Sequence, residues 1–280
     1  MRGFRRRLSL GLPTVLGLAG RGFFIPYRYA GADPGPRRRP PYAAIAAMMA
    51  TREDAFRDLL AVVDGYADDL LAIGAAPPPA PRWRQDWFPR LDAACAYALL
   101  RQRRPGRLVE VGAGHSTRFF ARAVADGGHA TRIVVIDPAP RADLGGLAIE
   151  ILRGTLQRVG EAPFAALAAG DVLSIDSSHI LMPGTDVDTL LNRVLPALPS
   201  GVLVQVHDVF LPDDYPPTWS WRGYNEQLAV APLLLGGGWR PLWSSRYVTT
   251  RMTAALDGTV VAHLPLAPNA FEASLWIEKV

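Results

Sequence analysis

Short runs of consecutive apolar residues, each giving way to polar or acidic ones, recur through the latter two thirds of the chain. Leu108-Val109-Glu110-Val111 runs into Gly112-Ala113-Gly114, Ile133 to Ile136 closes on Asp137, and Ile149 to Leu152 closes on Arg153-Gly154. Val172 to Ile175 closes on Asp176, and Val202 to Val206 closes on His207-Asp208. Between these runs the apolar positions fall at helical spacing: over Arg118 to Ala125, around Leu156 to Ala168, and at Val187, Leu190, Leu191, Val194 and Leu195. Continuous apolar strands alternating with amphipathic helices predict an α/β fold, a doubly wound and mostly parallel sheet covered on both faces with right-handed crossovers. After Asp208 the pattern changes. Leu211 to Gly223 is rich in proline and tryptophan and predicts a lid or substrate loop. Asn225 is placed to cap a helix through Leu235, and Trp239 to Val248 and Ser274 to Val280 predict two last strands with an antiparallel finish.

Ahead of the first strand, Ile45, Met48, Phe56, Leu59, Leu60, Val63, Tyr66 and Leu70 recur at helical spacing with acidic residues between them, as in one long helix or two broken ones. The run Pro77 to Pro81 ends that pattern, since proline neither continues a helix nor leaves its predecessor free to. It divides an N-terminal helical appendage (1–80) from the main domain (81–280). Pro89, at a first helical position, opens a helix through Leu100. The chain begins with Arg5-Arg6-Arg7 and an apolar stretch to Gly20, which reads either as a signal segment or as a local amphipathic one. Gly11, Pro13 and Gly17 interrupt the stretch, and it is too short to span a bilayer. Phe23 to Tyr29 then reads as an aromatic loop that is packed or ligand-facing, and Arg37 to Pro41 as a solvated linker.

Length and composition narrow the classes. With 280 residues, 49% of them hydrophobic, the chain can bury a substantial core and is not disordered throughout. Cys95 is the only cysteine, which excludes an intramolecular disulfide and fits a reducing, cytoplasmic setting. The net charge is +4, but Lys279 is the only lysine, so the basic balance reads as an arginine bias rather than as a nucleic-acid footprint. No nucleic-acid partner and no transmembrane segment are expected; homo-oligomerisation is left open.

In an open parallel sheet, ligands lie outside the carboxyl ends of the strands where strand order reverses. Glu110, Asp137, Asp176, His207 and Asp208 all stand at or near such ends. Gly112 and Gly114 would let the chain turn tightly and leave room for a ligand, and the Ser116 or Thr117 hydroxyl could cap the next helix. The pattern lacks the third glycine of dinucleotide-binding turns.

Val109-Glu110-Val111-Gly112-Ala113-Gly114 resembles the first motif of class I S-adenosylmethionine-dependent methyltransferases. The resemblance implies a Rossmann-like, seven-stranded sheet. It places the amino-acid end of the cofactor along Glu110, Gly112, Gly114 and Ser116, and the ribose on Asp137. Gly170 to His179 and Val206-His207-Asp208 are similar to stretches of the O-methyltransferases related to macrocin O-methyltransferase and cephalosporin-hydroxylase-type proteins. There an aspartate and an acidic pair bind a divalent metal and a histidine serves as base. Carried over, Asp176 and Asp208 are metal ligands and His179, with Asp176, is catalytic. His207 stands where many relatives have glutamate, and Ser177-Ser178 replace a glycine-containing stretch. Carboxylates and water suit Mg²⁺, whereas an imidazole ligand favours Mn²⁺, Fe²⁺ or Zn²⁺. On a regular strand His207 and Asp208 face opposite sides, so both reach one ion only where the strand has ended, and Asp208 is expected ahead of His207. Asp186 and Asp188 are expected to cap the following helix. The resulting expectation is methyl transfer from S-adenosylmethionine to a hydroxyl of a small-molecule acceptor. The rivals are a hydroxylase or oxidoreductase on the same fold and a non-catalytic scaffold.

Overall fold

The computed structural model describes residues 2–29, 32, 39–74 and 76–280; Arg37 and Arg38 of the expected linker lie outside them. The chain opens with α1 (Arg2–Arg6), which continues through a π-helical turn (Arg7–Gly11) into α2 (Leu12–Val15), and no residue of that turn or of α2 is buried. Where the periodicity after Tyr42 predicts one helix or two, three form: α3 (Ala43–Ala50), α4 (Glu53–Asp64) and α5 (Ala67–Leu71). Their buried faces share one hydrophobic core with the sheet, across the proline run. Phe56 of α4 packs edge-on against Trp243 and Tyr247, with ring centroids 5.8 and 6.0 Å apart.

In α6 (Arg90–Arg103) every position from Leu91 to Leu100 is buried, as expected of a helix that is apolar on all sides; Pro89 caps it rather than opening it. Then follow β1 (Arg107–Val111), α7 (His115–Gly127), β2 (Arg132–Ile136) and β3 (Glu150–Leu152). The helix expected over Leu156 to Ala168 shrinks to α8 (Leu156–Val159) and a 3-10 turn (Ala162–Phe164), because Gly160 takes a positive φ and Pro163 follows. After β4 (Val172–Ile175) a helical stretch runs through α9 (Asp186–Thr189), a π-helical turn (Leu190–Val194) and α10 (Leu195–Ala197). Its cap is Thr185, whose side chain accepts from the Asp188 amide, so neither Asp186 nor Asp188 caps it.

The rest of the chain supplies β5 (Leu203–Val206), α11 (Gln227–Leu235), β6 (Trp239–Ser244), α12 (Ser245–Arg251), α13 (Val260–His263) and β7 (Leu275–Lys279). β6 stops short of Val248 because Ser244 accepts the Tyr247 N–H and starts α12. Asn225 caps nothing. Its side chain accepts from the Leu181 amide at 2.6 Å and donates to the Leu181 carbonyl at 3.2 Å, tying the chain before α11 to the loop after β4.

The seven strands form one sheet in the order β3-β2-β1-β4-β5-β7-β6, in which β7 runs opposite to the other six. From β1 the chain fills one side through β2 and β3, then crosses back to β4 beside β1, with Val111 in register with Ile175. The strand order therefore reverses between β1 and β4, where the crevice of an open α/β sheet lies.

Candidate active site

At this reversal the two strand ends touch. Gly112 has φ +87°, and a Cβ built on it would lie 2.0 Å from the Asp176 carbonyl oxygen, so only glycine fits. Gly114, by contrast, faces open space. The carboxylate of Glu110, fully buried, accepts hydrogen bonds from the hydroxyls of Ser116 and of Thr117, the latter at 2.6 Å. Thr117 Oγ1 in turn accepts the Gly114 N–H at 3.0 Å, so Thr117 closes the helix start while Ser116 serves Glu110. Burial pushes the Glu110 carboxyl up to about 8. Asp137 reaches across to the same turn, its Oδ2 accepting the Ala113 N–H at 2.7 Å and its Oδ1 the Ala139 N–H at 2.6 Å.

Beyond β4 and β5 four ionisable side chains converge. His179 Nε2 lies 3.2 Å from Asp176 Oδ1 and 3.7 Å from Asp208 Oδ2. His207 Nδ1 lies 3.6 Å from Asp176 Oδ1 and 3.5 Å from Asp208 Oδ1, and it is buried without a hydrogen-bond partner. One ligating atom each from Asp176, His179 and Asp208 lies within 4.8 Å of the others. Two backbone positions make this convergence. Asp208 (φ +56°) and His179 (φ +59°) both adopt the left-handed region, unfavourable for residues with a side chain, and such strain collects at functional sites. β5 has ended at Val206, so the turn at Asp208 brings the consecutive His207 and Asp208 to the same spot.

Each imidazole is held from behind by a buried carboxylate. Glu226 Oε2 meets His179 Nδ1 at 2.9 Å, and Asp92 Oδ2 meets His207 Nε2 at 3.2 Å while also taking the Ala273 and Ser274 amides. The electrostatics follow. Burial alone would lower both histidines, but hydrogen bonds to Asp176 and Glu226 hold His179 well above its ordinary value, and the charges of Asp208 and Asp176 do the same for His207. Burial would raise Asp176, yet the charge of His207 and the hydrogen bond from His179 hold it well below. Burial raises Asp208 and Glu226.

An aromatic wall flanks the cluster. The Tyr224 ring lies 4.4 Å from that of His179, and Trp219 packs on Tyr224, Phe210 and Phe271 under the Arg222 guanidinium. Next to the His179 loop is a cavity of about 390 Å³ lined by Arg6, Arg21, Phe23, Ile25, Ile180 and Trp221, among others, so the N-terminal segment forms one side of it. Sequence reasoning missed Asp92 and Glu226. Asp92 had a signal, being an acidic residue within an otherwise apolar helix run. Glu226 had none.

Residues 109–209 match a family model described as a methyltransferase domain. No curated protein matches the chain in sequence. Among solved structures, the chain is similar to the methyltransferase PaMTH1 of Podospora anserina (16% identity over 92% of this chain and 99% of that one, TM-score 0.44). It is also similar to the O-methyltransferase TomG of Streptomyces achromogenes (14% identity, 86% and 100% covered, TM-score 0.42). A third is the branched-chain polyamine synthase of Thermus thermophilus (19% identity, 77% and 64% covered, TM-score 0.44). At such low likeness none of the three speaks to this chain's acceptor or chemistry.

Proposed function

We propose, from the premise that residues 109–209 form a methyltransferase domain, that this protein moves a methyl group from S-adenosylmethionine to a hydroxyl of a small-molecule acceptor. The observation that carries the reading is the contact of the glycine turn after β1 with the Asp176 backbone, because it sets a cofactor crevice and a proton-transfer cluster edge to edge. Gly112 and Gly114 give the cofactor's amino-acid end its path, Glu110 and Ser116 brace that turn from within, and Asp137 offers a carboxylate to the ribose. The sulfonium already activates the methyl group, so the protein's work is in-line alignment and removal of the acceptor proton.

His179 suits the base role. Glu226 accepts the Nδ1 proton and Nε2 faces the cluster. Asp176 and Asp208, which help to raise this histidine, are the carboxylates a bound cation would neutralise, and with them neutralised Nε2 is free to take the acceptor's proton. Asp176 orients that nitrogen. The donor set fits a divalent metal: two carboxylates converge, and the otherwise unpartnered Nδ1 of His207 faces them. Asp176, Asp208 and His207 would hold Mg²⁺ or Mn²⁺, the imidazole favouring the latter. Such an ion, when bound, lowers the pKa of an acceptor hydroxyl. Tyr224, Trp221 and the N-terminal Phe23 and Ile25 shape the acceptor pocket.

Calorimetric titration with S-adenosylmethionine tests the reading, with Asp137→Ala expected to weaken binding at least tenfold. Mn²⁺ binding followed by electron paramagnetic resonance should be lost in Asp208→Ala. No cofactor binding by the parent, or equal binding by Asp137→Ala, overturns the methyl-transfer reading; Mn²⁺ binding unchanged in Asp208→Ala overturns only the metal.

A further inference from the structure

Arg82, Arg84, Arg118 and Arg141 share one cavity of about 370 Å³ with His115 and Trp87. Among the described residues, none of these four guanidiniums lies within 4.0 Å of a carboxylate oxygen. Asp86 and Asp143 also line the cavity, so its charged rim carries four cations against two anions. Arg118 is buried and fixed, its Nε and Nη2 both donating to the Asp143 carbonyl at 2.9 and 2.7 Å. Arg82, Arg84 and Arg141 are exposed, the last with its guanidinium 4.8 Å from the centre of the Trp87 ring.

His115 supplies an independent observation. It is the first residue of α7 and lines the cavity. The residue is only 6% exposed, and Nδ1 is buried with no hydrogen-bond partner. Burial, with Arg118 and Arg82 nearby, pushes the imidazole down to about 4, so it is neutral at neutral pH. Guanidinium forks free of carboxylate partners, gathered with a neutral imidazole around one cavity, are the parts that recognise a phosphate group. None of Gly112, Gly114, Asp137 or Asp176 lines this cavity.

We propose that this cavity binds a ligand bearing a phosphate or pyrophosphate group, held by Arg82, Arg118 and Arg141 together with His115, apart from the methyl-transfer crevice. Titration of the full chain with inorganic pyrophosphate at low salt is the test. Saturable binding is expected, falling at least tenfold in Arg82→Ala with Arg141→Ala and unchanged in Arg103→Ala with Arg158→Ala, which removes two exposed arginines elsewhere. In the unaltered protein, pyrophosphate should also shift the histidine ring resonances that His115→Gln removes. Absence of saturable binding overturns the proposal, and so does equal weakening in both double variants, which would mean general attraction to a basic surface. Competitive displacement by S-adenosylhomocysteine overturns it as well, by assigning these arginines to the cofactor's carboxylate.

Discussion

Glu110 shows how one buried carboxyl ties a strand to the helix after it. Its folded value of about 8 stands above the ordinary 4.5. Below about 4.5 both folded and unfolded chains hold this proton and its contribution is fully present. Between about 4.5 and 8 only the folded chain holds it, so stability falls as pH rises through that window. Glu110→Gln should flatten that decline by as much as one proton contributes, about 1.4 kcal/mol per pH unit at most, as measured by urea unfolding at a series of pH values. At this scale the sequence was legible where a residue acts on near neighbours: the acid and hydroxyls of Glu110, Ser116 and Thr117 stand within one strand-turn-helix unit. It was not legible where the partner comes from far along the chain. Glu226 is 47 residues from His179, and Asp92 is 115 from His207, so no local spacing announces either pair.

The elements followed the hydrophobic pattern wherever burial is two-sided. The central strands β1, β4 and β5 were visible as apolar runs because neighbours and covering helices dry both faces, whereas the edge strand β3 has no buried residue. Helix lengths were less visible, since local backbone chemistry decides them: Gly160 and Pro163 cut one short, and the Ser244 side chain turns the end of β6 into α12. The periodicity of α4 correctly marked a buried face but carried no sign of what covers it. That covering includes Trp243 and Tyr247, so Phe56→Ala should destabilise the whole fold, not a detachable appendage. The expected loss is about 3 to 5 kcal/mol in a single denaturant transition; a separate early transition confined to the N-terminal helices would contradict this.

For the whole molecule, the alternating pattern supplied the parallel sheet, but the reversal between β1 and β4 is a matter of connection order, which no run of residues encodes. The exposed apolar side chains are also unevenly distributed: Phe4, Leu8, Leu12, Val15, Leu16, Leu18, Phe23, Phe24, Ile25, Tyr27 and Tyr29 all precede residue 30, while few stand elsewhere. Part of that segment, Arg6 to Ile25, lines the cavity beside the His179 loop.

The contact at Gly112 has a thermodynamic consequence. With no space between the turn after β1 and the peptide at Asp176, a shift in one presses on the other, so the proposed cofactor and cation would be energetically linked. Linkage is reciprocal: whatever factor a bound cation applies to cofactor affinity, the cofactor applies to the cation. Gly112→Ala, which drives a methyl group into the Asp176 carbonyl, should therefore weaken S-adenosylmethionine and Mn²⁺ together, each at least tenfold by calorimetry. Gly114→Ala, whose methyl meets open space, should weaken the cofactor alone. If Gly112→Ala spared the cation, the two sites would be neighbours without being partners.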